Sequence, residues 1–183
     1  MSIELNILKQ VCSQLDTQGI SYMLTGSFAA NFYAVPRMTR DIDIVIEIKM
    51  KEADKIYQIF QKDFYVDKIA IGEAIQRQSI FNIIHNEYVF KIDFIVRKDD
   101  EYRLVEFKRK RRIKLDNVSI WIVSPEDLII SKLYWAKDSL SEMQIKDVKN
   151  LLLTMHQLDH DYIREWVNKL NLEVLYEKVG THA

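Results

Sequence analysis

Two short stretches carry the residues whose types and spacing suggest chemistry: Leu24-Thr25-Gly26-Ser27 and Arg37-Met38-Thr39-Arg40-Asp41-Ile42-Asp43-Ile44. The first reads as a strand running into a tight Gly-Ser turn and then a helix. A glycine there lets the backbone come close to a ligand, and the free N–H groups that open a helix can hold phosphate. Ser27 adds a hydroxyl donor at the same place. The second stretch alternates strictly from Asp41 to Glu47, so Asp41 and Asp43 leave the same face of one strand. Two carboxylates about 4 Å apart repel by about 4 kcal/mol at an effective dielectric of 20. A divalent cation removes that conflict, and hard oxygen ligands suit Mg²⁺. Such a metal can bridge a triphosphate and activate an attacking hydroxyl.

Gly26-Ser27, a gap of thirteen residues and Asp41-Ile42-Asp43 resemble the nucleotidyltransferase superfamily of the DNA polymerase beta type. With the flanking Arg37-x-Thr39, the segment is similar to the small AbiE-type and minimal nucleotidyltransferases of bacterial toxin–antitoxin systems. The resemblance extends to Lys91-Ile92-Asp93, to Lys132 on the helix opened by Ser124-Pro125-Glu126-Asp127, and to Lys146-Asp147-Val148. It implies an α/β (α+β) fold, a mixed sheet flanked by helices and followed by a C-terminal helical bundle. It also implies that Asp41, Asp43 and Asp93 bind Mg²⁺ or Mn²⁺, with Asp93 as ligand or as base for the acceptor. Gly26 and Ser27 would hold the β- and γ-phosphates, and Lys132 would balance phosphate charge. Arg40 and Asp147 would complete the nucleotide site, Asp147 by orienting Lys132 or Arg40. The expected partner is an NTP, by default ATP. The expected reaction moves a nucleoside monophosphate to a hydroxyl of a protein, an RNA or a small molecule. The alternative is a nucleotide-binding, antitoxin-like partner module with little turnover. One departure stands out: Phe28 follows the turn, with no further glycine to loosen it.

The elements that must position these groups are legible in part. Ile3, Ile7, Leu8, Val11, Cys12 and Leu15 recur at helical spacing, with Gly19 as the stop. Ile20–Leu24 reads as a strand, Phe28–Ala34 as a helix, Asp41–Glu47 as a strand and Met50–Phe60 as a helix. Ser79–His85 and Tyr88–Arg97 read as a hairpin around Asn86-Glu87. A helix over Asp99–Lys110 follows, then a hairpin of Arg111–Leu115 and Val118–Val123 turning at Asp116-Asn117. Ser124 can cap the next helix, Pro125 fits its first position and Asp127 sits at the capping-box position. Beyond Pro125 the pattern is helical, with breaks near Ser139, Asp159 and Asn171. The expected organisation is an α/β core over 1–123 and a helical region over 124–183.

The 183 residues carry 26 Lys+Arg against 27 Asp+Glu, with 48% hydrophobic and 29% charged. That balance describes a folded domain with a real core and argues against wholesale coating of nucleic acid. Lys108, Arg109, Lys110, Arg111 and Arg112 form the one dense basic run. It can meet the phosphates of an RNA acceptor, or be a helix C-terminus passing into an edge strand, where cations are favourable. Cys12 is the single cysteine, so an intrachain disulfide and a Cys-based zinc site are excluded. The first residues lack the layout of a signal peptide and no apolar run is long enough to span a bilayer, so the expectation is cytoplasmic, with no membrane contact.

Overall fold

The computed structural model describes residues 3–39, 41–139 and 141–180. Helix α1 (Ile3–Thr17) buries Ile7, Leu8, Val11, Cys12 and Leu15, the stripe that its spacing predicts. Gly19 takes φ +66 and the Ile20 N–H donates to Leu15 O, so the chain reverses at once into strand β1 (Ser21–Thr25). Helix α2 (Gly26–Tyr33) begins directly on β1, two residues earlier than expected. The Gly-Ser pair is therefore the helix's own first turn. Strand β2 (Asp41–Glu47) follows, then a 3₁₀ turn (Met50–Glu52) feeding helix α3 (Ala53–Phe60).

Two elements carried no expectation: strand β3 (Phe64–Val66) and helix α4 (Lys68–Arg77). The first is three residues long, and the second buries Ile71 and Ala74 alone, too little apolar pattern to show in sequence. Strands β4 (Ile80–His85) and β5 (Lys91–Val96) pair antiparallel as expected. Their connection is longer than two residues, with Val89 at φ 51 within it, and β5 starts at Lys91 rather than Tyr88. Helix α5 (Glu101–Lys108) leads to the hairpin of β6 (Arg111–Leu115) and β7 (Val118–Ile122). Helices α6 (Pro125–Ser139), α7 (Glu142–Thr154), α8 (His160–Lys169) and α9 (Glu173–Gly180) complete the described chain.

The strands form one mixed sheet in the order β3-β4-β5-β2-β1-β7-β6. Central β2 runs parallel to β5 and antiparallel to β1, while β1 meets β7 in parallel. On one face of the centre, Ile42, Ile44, Ile46, Ile92, Phe94 and Val96 are buried. Phe60 of α3 packs on that face, its ring 5.5 Å from that of Phe94, and the core cluster as a whole also takes in Leu128, Ile129 and Leu133 of α6, Val148 and Leu151 of α7, and Ile163 and Trp166 of α8. The fold is the α/β arrangement that the motifs imply. No helix of the described residues is long and apolar enough to cross a membrane.

Candidate active site

The opposite face of the central strands carries Asp41, Asp43, Lys91 and Asp93, each half-buried. Asp43 pairs with Thr25 of β1 on one side and with Asp93 of β5 on the other, and Asp93 pairs with Asn82 of β4. One pleat away, Asp41 pairs with Lys91. Parallel pairing in register thus brings Asp41, Asp43 and Asp93 onto one face of adjacent strands, about 5 Å apart across the ladder. A cavity of about 810 Å³ opens at Asp43, with Gly26 and Ser27 at the same end and Arg77, Lys98 and Tyr134 beyond.

Asp43 lies directly over Gly26. A Cβ at position 26 would meet the Asp43 carboxylate, with Cγ at 2.7 Å, and Gly26 takes φ +66. The glycine is needed first for the chain's own carboxylate, before any phosphate is considered. Burial, followed by the neighbouring Asp93 charge, pushes the Asp43 carboxyl up to about 6, with Lys132 acting against both. Asp41 and Asp93 turn instead to Lys91, whose Nζ lies 2.7 Å from Asp93 Oδ2 and 3.7 Å from Asp41 Oδ2. Among the described residues, no three His, Cys, Asp or Glu side chains are gathered as a ready-made metal cluster. The donors are nevertheless the hard oxygens that Mg²⁺ takes, and a cation, the Lys91 ammonium, already sits between two of them.

Behind the row stands a second charged group. Asp147, 4% exposed, accepts from Arg37 Nε and Nη2 at 2.8 Å each and from Lys132 Nζ at 2.8 Å. Burial alone would raise the Asp147 carboxyl, but the Arg37 and then the Lys132 hydrogen bonds outweigh it and hold it below its usual value. Lys132 is fully buried and also donates to Gln144 Oε1 at 2.9 Å. Burial lowers its pKa, with Asp147 opposing. Arg37 Nη2 further donates to Ser27 Oγ, fixing the hydroxyl at the start of α2. That helix has no side-chain cap, and the buried Thr25 Oγ1 has no hydrogen-bond partner.

Of the residues singled out from sequence, Gly26, Ser27 and Asp43 line the cleft, and Asp41 and Asp93 lie beside Asp43 on the same sheet face. Lys132 and Asp147 lie behind it, hydrogen-bonded to each other. Its arginine partner is Arg37; Arg40 lies outside the described residues. Sequence reasoning assigned no role to Lys91, Arg37 or Thr25. For Lys91 a signal existed, since a residue two before Asp93 shares its face.

The basic run is occupied largely within the chain. Arg109 Nε donates to Asp127 Oδ2 at 3.0 Å and its guanidinium lies 3.8 Å from the Tyr162 ring centroid. Lys110 Nζ donates to Ser21 Oγ, Arg111 pairs with Glu126 at 3.1 Å, and Arg112 stacks over Trp121. Lys108 is exposed at the end of α5, and β6 forms the sheet edge.

No protein-family model matches the sequence, and no curated protein matches it significantly. Solved structures do. The antibiotic-resistance factor ANT(2'')-Ia aligns over 98% of this chain and 97% of its own at TM-score 0.62 and 12% identity. The lincosamide antibiotic adenylyltransferase LnuA, solved with lincomycin bound, aligns over 85% and 99% at 0.56 and 14%. An antigenic nucleotidyltransferase-like protein from Paracoccidioides brasiliensis aligns over 81% and 73% at 0.54 and 14%. ANT(2'')-Ia has also been solved with adenylyl-2''-tobramycin, at 13% identity and 0.57. At these identities the likeness speaks for architecture, and the architecture of this chain is the nucleotidyltransferase fold.

Proposed function

We propose that the protein is a metal-dependent nucleotidyltransferase that moves a nucleoside monophosphate, by default AMP from ATP, to an acceptor hydroxyl with release of pyrophosphate. The observation that carries this reading is the in-register row of Asp43 and Asp93, with Asp41 one pleat away, whose Asp43 lines a cleft at the start of α2. Asp41, Asp43 and Asp93 are the residues that would hold Mg²⁺ or Mn²⁺. When bound, the metal neutralises charge on the phosphates and favours ionisation of the acceptor hydroxyl.

The chain's own part is positioning. The uncapped N–H groups of α2, with Ser27 held by Arg37, receive the outer phosphates. The Thr25 hydroxyl offers an unmade hydrogen bond on the same side. Asp93 would act as a metal ligand or accept the acceptor's proton. Lys132, buried and fixed, lends positive charge to the site through space, as its effect on Asp43 indicates. The acceptor enters along the cavity toward Tyr134 and Lys98. That ANT(2'')-Ia and LnuA bear the names of antibiotic-modifying proteins makes a small hydroxylated acceptor a natural first choice to test, beside protein and RNA.

A second reading, a nucleotide-binding partner module with little turnover, is favoured by one observation: Lys91 already places a positive charge 2.7 Å from Asp93 and 3.7 Å from Asp41. One experiment separates the two. Incubate the protein with each α-labelled NTP, Mg²⁺ or Mn²⁺ and cell extract, and locate the label on protein, RNA or small molecule. Transfer that vanishes in the Asp41→Ala/Asp43→Ala double variant is the expected result. Undiminished labelling by that variant overturns the metal assignment, and NTP binding without transfer favours the partner module.

A further inference from the structure

Two lysines lie near the carboxylate row, and they are held very differently. Lys132 is fully buried and pinned by Gln144 and Asp147, so its ammonium cannot leave without breaking both bonds. Lys91 is 38% exposed, and its contacts are with two of the expected metal ligands, Asp93 at 2.7 Å and Asp41 at 3.7 Å. Its long flexible stem lets the ammonium swing toward solvent or toward a ligand without disturbing the strand.

The charge arithmetic gives that freedom a consequence. Asp41, Asp43, Asp93 and Asp147 supply four negative charges, and Arg37, Lys91 and Lys132 supply three positive ones, leaving a net of −1 at the site. A bare divalent cation must therefore displace an ammonium already bonded to its ligands. Without the Lys91 charge the net is −2, which matches a divalent cation. A metal–triphosphate complex is a different visitor. It brings negative charge of its own, which can take over the ammonium as the metal takes the carboxylates.

We propose that Lys91 is a built-in counter-cation that occupies Asp41 and Asp93 until nucleotide arrives, so that metal binds together with the triphosphate rather than before it. Lys91 is thus a positioning residue that sets the order of binding. The proposal rests on the metal-dependent reading above.

The test is Mn²⁺ binding, followed by electron paramagnetic resonance, for the wild type, Lys91→Met and Lys91→Arg, with and without a non-hydrolysable ATP analogue. Circular dichroism melts confirm that each variant is folded. Without nucleotide, Lys91→Met should bind Mn²⁺ about tenfold more tightly than wild type, the worth of one charge-assisted hydrogen bond. Lys91→Arg should stay close to wild type. The analogue should tighten Mn²⁺ binding in the wild type far more than in Lys91→Met. Equal or weaker Mn²⁺ binding by Lys91→Met, while wild type still binds Mn²⁺ with the analogue, overturns the role of Lys91 and leaves the nucleotidyl-transfer reading standing. Failure of every variant to bind Mn²⁺, with or without the analogue, overturns both.

Discussion

Asp43 combines two demands that pull against each other. Burial over Gly26 and the Asp93 charge oppose its ionisation and push its pKa up to about 6, yet a metal ligand must be ionised. The sign of the consequence follows from proton counting. Between the ordinary value of 3.8 and about 6, the folded protein binds more protons at this site than the unfolded chain, so stability falls as pH rises through that window. Above it the penalty is fully present, at most about 3 kcal/mol. Asp43→Asn should therefore raise metal-free stability at pH 8, leave it nearly unchanged at pH 4, and cost at least about a hundredfold in transfer. Urea melts at the two pH values check the first half, and label transfer checks the second. At this scale the shared face of Asp41 and Asp43 was legible because acidic residues alternating in a strand have little structural reason to be there. The link from Arg37 to Asp147 was not, since it joins residues 110 positions apart.

The start of α6 shows what an element does beyond packing. Ser124 Oγ accepts from the Asp127 N–H at 3.1 Å, the expected cap. The Asp127 side chain does not complete the box by reaching the Ser124 backbone. Its carboxylate instead accepts from Ser124 Oγ, Tyr162 OH and Arg109 Nε at 2.6, 2.6 and 3.0 Å, with Asp127 fully buried. One carboxylate thus ties α5, α6 and α8 together, using a cation from the basic run. Asp127→Ala should cost about 2–4 kcal/mol in urea melts, less than a fully buried pair because Arg109 is a third exposed. A loss below about 1 kcal/mol would show that the network is not holding these helices. The helix start was legible from Ser124-Pro125, and β2 from its strict alternation. Helix α4 was not, because with Ile71 and Ala74 as its buried residues its identity comes from the helix and strand it packs on, α3 and β4.

At the scale of the molecule, the group behind the carboxylate row crosses between the segments that the sequence divides at 123 and 124. Ser27 and Arg37 come from the α/β segment, Lys132 and Asp147 from the helical one, and Asp147 is the centre that both cations share. Its loss should be felt through Lys132, which is fully buried and keeps Gln144 as its remaining partner. Asp147→Asn should cost about 3–5 kcal/mol at pH 7, the usual result of stranding a buried charge. The pH dependence identifies which charge is stranded. A lysine whose folded pKa is lowered binds fewer protons folded than unfolded below the ordinary 10.5, so its contribution to stability improves as pH rises through that window. Removing Asp147 takes away the hydrogen bond and charge that oppose the lowering, which widens the window. The deficit of Asp147→Asn relative to wild type should therefore shrink steadily between pH 7 and 9.5 in paired urea melts. A deficit that stays constant would mean that the stranded group is Arg37, whose guanidinium cannot shed its proton in that range.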